Sequence, residues 1–131
     1  MSKPRPDYTD RTYWNGIIKM SLSKFFILRV LHDRPMHGYD IVQAVEHVTS
    51  GCCSPSEGAI YPALKEFEAG GYVESETEIV SGRERRVYTL TDKGREAFRV
   101  AVAAWMEVTD SLLAARDVVG PDLDTAGGCC G

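Results

Sequence analysis

Apolar residues recur at helical spacing in several stretches of this chain and follow a strand-like pattern in only one region. Residues 8–18 set Tyr8, Tyr13, Trp14, Ile17 and Ile18 among polar positions and predict a short first helix. Residues 21–31 carry Leu22, Phe25, Phe26, Ile27, Leu28, Val30 and Leu31, dense enough for a core helix with Ser21 as its N-cap. Asp33-Arg34-Pro35 ends that helix, because proline pushes the residue before it out of helical geometry. Tyr39, Ile41, Val42 and Val45 place another helix over residues 37–48, followed by a loop over 49–55 with Gly51 as its stop. Ser54-Pro55-Ser56-Glu57 has the cap, proline and acid of a helix start, and Ile60, Leu64 and Phe67 then form an apolar stripe ending at Gly70-Gly71. Two runs rich in β-branched and aromatic residues, 72–79 and 87–90, predict a hairpin with Ser81-Gly82 as the turn signal. Thr91 caps a last helix over about 92–116, whose broad apolar face includes Ala97, Val100, Ala101, Ala104, Trp105, Val108, Leu112 and Leu113. Residues 122–131 read as a flexible tail.

Helix, helix, then a hairpin tipped by Gly82-Arg83-Glu84-Arg85-Arg86 is the order of a winged helix-turn-helix. The expected fold is mainly α with a small β-hairpin, preceded by an N-terminal helix and followed by one long C-terminal helix. In that arrangement one helix enters a DNA major groove while the wing straddles the backbone.

Composition narrows this reading without changing it. A chain of 131 residues allows one domain, and 44% hydrophobic with 26% charged residues fits a soluble globular protein. No apolar run approaches the ~20 residues of a membrane span, and the polar start Met1-Ser2-Lys3-Pro4-Arg5 lacks the apolar centre of a secretion signal. The expectation is a cytoplasmic protein with no membrane partner. The net charge of −4 argues against indiscriminate nucleic-acid binding but leaves specific binding open, since affinity follows the local placement of cations. Lys19, Lys24, Arg29, Lys65, Arg83, Arg85 and Arg86 flank or occupy the reading elements, while Glu74, Glu76, Glu78, Asp117, Asp122 and Asp124 lie elsewhere. That pattern describes a basic face on an acidic body. An enzyme is disfavoured: there is no Cys-x-x-Cys pair, no glycine-rich phosphate loop and no acid–base dyad.

Four motifs in order carry a family resemblance. Pro35-Met36-His37-Gly38-Tyr39, Gly58-Ala59-Ile60-Tyr61-Pro62-Ala63-Leu64, Gly71-Tyr72-Val73, and Arg85-Arg86-Val87-Tyr88-Thr89-Leu90-Thr91-Asp92-Lys93-Gly94 resemble the PadR family of transcriptional regulators. The single long last helix looks like the family's short-tailed class. The resemblance implies a homodimer whose C-terminal helices, helped by the N-terminal one, hold two winged domains against an inverted-repeat operator in double-stranded DNA. Residues 1–90 would then be the DNA-binding domain with its helical extension, 91–118 the dimerisation helix, and 119–131 a cysteine-containing tail. It also implies that Ser54, Ser56, Tyr61 and Lys65 face DNA, that Tyr39 contacts its backbone, and that Arg83 and Arg85 reach it from the wing. The residue types agree: hydroxyls and helix N-terminal amides suit phosphate oxygens, and Lys65 or a wing arginine can approach phosphates or base edges. Two positions have a structural alternative. Tyr61 could pack its ring in the core, and Arg86 could form a solvated pair with Glu84.

Two vicinal cysteine pairs, Cys52-Cys53 and Cys129-Cys130, lie outside that logic. A cytosolic address disfavours structural disulfides, and adjacent Cα atoms about 3.8 Å apart fit disulfide geometry poorly. Four thiols on flexible segments suit a soft ion, with the first pair just before the reading helix and the second at the end of a tail able to fold over it. Trivalent arsenic or antimony needs three thiolates and is the favoured inducer. Mercury, cadmium, lead or copper(I) are others, and zinc is disfavoured by the spacing. No obligatory cofactor is expected. Competing readings stay open: buried inert cysteines, a thiol redox switch, or an aromatic or lipophilic effector held by Trp14, Phe98, Trp105 and Met106 at a dimer interface.

Overall fold

The computed structural model describes residues 5–49 and 57–120, which form four helices and a three-stranded sheet. Helix α1 spans Arg11–Asp33 without interruption, where the sequence pattern predicts two helices. Ser21 therefore caps nothing. The N-cap is Asp10, whose carboxylate accepts from the Thr12 amide at 2.9 Å. Ser23 shows how a mid-helix serine is accommodated, its hydroxyl donating back to the Lys19 carbonyl. Ile27, Leu28, Val30 and Leu31 of α1 are buried, whereas the first two turns are largely exposed.

Strand β1, Met36–His37, follows Pro35 and leads directly into α2, Gly38–Val48. Helix α3, Glu57–Ala69, ends in a left-handed cap at Gly71, with φ of 80°. The Tyr72 amide donates to the Phe67 carbonyl at 2.8 Å and the Gly71 amide to Glu68 at 3.1 Å, and the Phe67 and Tyr72 rings pack edge-on. This is the hydrogen-bond pattern and apolar contact of a Schellman termination.

Strands β2, Val73–Val80, and β3, Arg83–Leu90, pair antiparallel, and β1 adds to the other side of β3. The sheet order is β1-β3-β2, so the expected hairpin is a three-stranded sheet. Ser81 and Gly82, both at positive φ, form its tip. Arg83, Glu84, Arg85 and Arg86 thus belong to a strand and not to the turn.

Helix α4, Asp92–Val119, is clamped at its start. Thr91 accepts from the Gly94 amide at 3.1 Å and donates its hydroxyl to the Gly71 carbonyl at 2.7 Å. Lys93 donates to the Gly70 carbonyl at 2.6 Å and lies 4.5 Å over the Tyr72 ring. Gly94 is buried where a side chain would run into the Tyr72 carbonyl and Leu90. The Thr91-Asp92-Lys93-Gly94 motif is therefore a docking point for α4 on the end of α3. One core unites the body: Ile27, Leu28, Val30 and Leu31 of α1 meet Ile41 and Val45 of α2, Ile60 and Leu64 of α3, and Met36, Val73, Tyr88 and Leu90 of the sheet.

Candidate nucleic-acid interface

The apolar stripe of α3 fixes which of its side chains face out. Ile60, Ala63 and Leu64 are buried, so Gly58, Tyr61, Pro62 and Lys65 are exposed on the remaining faces. Both acids of its second half are engaged within the fold. Glu66 pairs with Lys24 of α1 at 2.7 Å, and Glu68 accepts the Ser75 hydroxyl and pairs with Arg86 at 3.6 Å.

Tyr61 leans from α3 across the start of α2. A Cβ on Gly38 would stand 2.6 Å from its Cε1 and 2.8 Å from its hydroxyl oxygen, so only glycine lets the ring lie there. Tyr61 is 43% exposed and lies on the surface, not in the core. Tyr39, in the first turn of α2, is also exposed, its hydroxyl accepting from Gln43 at 3.0 Å.

The strand register sorts the wing arginines. Arg83 and Arg85 share one face of the hairpin with Val80 and Glu78, the residues opposite them. Arg86 lies on the other face, opposite Thr77, and donates to the Ser75 hydroxyl at 3.2 Å. Its carboxylate partner is Glu68 on α3, whereas Glu84 lies on the same strand and is no cross-strand partner. Lys65, Arg83 and Arg85 are exposed and take part in no ion pair among the described residues.

These elements enclose a cleft of about 420 Å³ between the start of α2, α3 and the wing. Gly38, Tyr39, Tyr61, Arg85, Arg86 and Tyr88 are among its lining residues. Burial pushes the Tyr88 phenol up, against the opposing pull of Arg86. The α2 N-terminus has no side-chain cap, and Gly38 and Tyr39 place its first turn in the cleft wall. A cleft with helix-end amides, phenols and two guanidinium groups suits a phosphate oxygen. His37 lines the same cleft with Nδ1 3.4 Å from Asp40 and Nε2 3.4 Å from Glu78, and Nε2 makes no hydrogen bond.

Of the residues singled out by sequence, Tyr39, Tyr61 and Arg85 thus come together in the cleft, with Lys65 and Arg83 beside it on the exposed sides of α3 and β3. Ser54, Ser56, Cys52, Cys53, Cys129 and Cys130 lie outside the described residues, among which no cluster of potential metal ligands occurs. The aromatic residues considered as an effector pocket make these contacts within one chain. Phe98 and Trp105 pack on Phe25, whereas Trp14 packs with Tyr8 and Tyr13. No described helix is long and apolar enough to cross a membrane.

Residues 27–100, more than half of the chain, match the model of the transcriptional regulator PadR-like family. The chain belongs to this family. A transcriptional regulator of Mycobacterium tuberculosis is 36% identical over 76% of this chain and 88% of its own length. PadR of Bacillus subtilis, crystallised in complex with operator DNA, superimposes with a TM-score of 0.58 at 29% identity, over 62% of this chain and 46% of its own. A regulator from Clostridium thermocellum shares the fold with a TM-score of 0.66, at 22% identity over 76% of this chain and 96% of its own. PadR-like proteins are transcriptional regulators and not enzymes. The PadR match contains the whole cleft, from His37 to Tyr88, together with two features that sequence reasoning passed over. One is His37, which the sequence shows only as a member of its motif. The other is the Glu68–Ser75–Arg86 tie, whose partners are seven and eleven residues from Ser75 and share no recognisable spacing.

Proposed function

We propose that this chain is a DNA-binding transcriptional repressor that grips an inverted-repeat operator as a homodimer, with α3 in the major groove and the β2–β3 wing along the backbone. The cleft at Tyr39, Tyr61, Arg85 and Arg86 carries this reading, because it gathers phosphate-binding groups between the two elements a winged fold presents to DNA. Lys65, which makes no ion pair among the described residues, is the candidate for base edges, and Arg83 for phosphates beside the wing. Ser54 and Ser56 are proposed backbone contacts just before α3. The relation to a Bacillus subtilis repressor crystallised on its operator supports the same assignment. A homodimer accounts for the exposed Val108, Leu112 and Leu113 on α4 and the exposed Trp14, Ile17 and Ile18 on α1.

The test is selection of duplexes from a random-sequence library by the full-length protein. Selected sites should be inverted repeats with half-sites about one helical turn apart. Recovery of no preferred sequence, or loss of no affinity on Lys65→Ala and Arg85→Ala, would reject the reading.

For the inducer, the reading is capture of trivalent arsenic or antimony by thiolates of Cys52, Cys53 and the Cys129-Cys130 pair. Support comes from chain position: Cys52 and Cys53 lie in the segment joining α2 to α3, so a ligand there acts on the reading helix through one short connection. Release requires that the ligand favour the DNA-incompetent conformation. Titrating the reduced complex with arsenite, antimonite and Hg(II) should release DNA at stoichiometric ligand, and Cys52→Ser with Cys53→Ser should abolish release while leaving DNA affinity intact. Release that survives in this variant would exclude Cys52 and Cys53, and no release by any of these ions would turn attention to an organic effector.

A further inference from the structure

We infer that His37 is a positioning residue operated by a proton: it ties the first turn of α2 to the wing, and DNA binding by this face takes up a proton there. The inference rests on the DNA-binding reading above. His37 sits on β1 opposite Val87 of β3, so its ring emerges on the sheet face that also carries Arg85 and Glu78. The side chain is 22% exposed and stands between two carboxylates, Asp40 of α2 and Glu78 of β2, each 3.4 Å from one ring nitrogen.

A neutral imidazole has one N–H and one lone pair. Placed between two carboxylates, it can donate to only one of them, and the other meets a lone pair. Nε2 is buried and makes no hydrogen bond. Protonation gives both nitrogens a hydrogen, lets the ring donate to Asp40 while its positive charge pairs with Glu78, and lowers the charge of the three groups from −2 to −1. That change occurs in the wall of the cleft proposed to admit a phosphate backbone, so the phosphates favour the protonated state.

The neighbouring groups leave the sign intact. On β2, Glu76 lies opposite Val87 and adds a further negative charge to the same face. On β3, Arg85 lies opposite Glu78 but forms no ion pair with it, and Arg86 is held by Glu68. Glu84 also lines the cleft and is acidic. Tyr39 on α2, Tyr61 on α3 and Tyr88 on β3 also face the cleft, and burial pushes the Tyr88 phenol up, away from the range of histidine. The other histidines are remote from the cleft: His32 packs on Phe98, and His47 lies in the last turn of α2.

Linkage makes the effect reciprocal: if the proton tightens DNA binding, DNA must raise the proton affinity of His37. The test measures anisotropy of a fluorescein-labelled duplex selected by the full-length protein, between about pH 7.5 and about pH 5.5. Wild-type affinity should rise about fivefold toward the acid end, below the tenfold per pH unit that one fully linked proton gives. His37→Gln should lose that rise. Glu78→Gln, which keeps the histidine, should bind tighter than wild type at the alkaline end and show a smaller rise. NMR of the His37 ring should show its titration midpoint move up when the duplex is added. A pH profile shared by wild type and both variants, or a His37 midpoint unmoved by DNA, overturns the inference and leaves the DNA-binding reading standing. Failure to select any duplex at either pH overturns both.

Discussion

Gly38 and Tyr61 form a contact in which a missing side chain positions a present one. The atoms nearest an added Cβ are the outer edge of the Tyr61 ring, which can swing aside. Alanine also gains up to about 1 kcal/mol over glycine within a helix. Gly38→Ala should therefore melt within a few degrees of wild type or slightly above it, while DNA affinity falls about threefold to tenfold as the ring leaves the cleft, as expected for a lost hydrogen bond of about 1 kcal/mol. Circular-dichroism melts and duplex anisotropy separate the two effects, and a parallel loss of stability and affinity would mean that Tyr61 acts through the core. At this scale the sequence was half legible. The apolar stripe at Ile60, Leu64 and Phe67 put Tyr61 beside the buried face and left its ring open to either the core or DNA. The space that decides between them is set by Gly38, on another helix.

Among the elements, the wing depends on two sets of arginines with different tasks. Arg86 anchors the hairpin to α3 through Ser75 and Glu68, whereas Arg83 and Arg85 lie on the opposite face and make no ion pair among the described residues. Replacing both Arg83 and Arg85 by alanine should lower the magnitude of the slope of log affinity against log salt by about 2, one phosphate contact each. Arg86→Ala should lower the affinity with a smaller change of slope and speed hydrogen exchange in β2 and β3. Equal slope changes in both variants would contradict this division. The same residues show why the strands were misjudged from sequence. A strand announces itself by alternation when one face is buried, but Arg83–Arg86 project beyond the core with both faces wet, so only Val87–Leu90 carried the signal. Helix α1 misled in the same way, because its apolar pattern loosens over the turns that meet no core within the chain. The two-residue strand β1 was too short to be seen by any periodicity.

On the scale of the whole molecule, the first and last helices expose apolar surface. Val108, Leu112 and Leu113 are exposed on α4, which continues past the body it docks on, and Trp14, Ile17 and Ile18 are exposed on α1. Burying one such aliphatic side chain contributes about 1.5–3 kcal/mol, and in a two-fold dimer every side chain counts twice. Val108→Glu with Leu112→Glu places four carboxylates in a dimer interface built on this face and should dissociate it into monomers under sedimentation at micromolar concentration. The variant's melting should otherwise stay cooperative, because Ile27, Leu31, Ile41, Ile60 and Leu64 hold the winged core without help from α4 beyond Trp105. Operator affinity should fall by a larger factor than for any single cleft substitution, since each monomer keeps one reading helix and loses the half-site that its partner would hold. A variant that remains dimeric would move the interface to the exposed face of α1, where Ile17→Glu and Ile18→Glu provide the corresponding test.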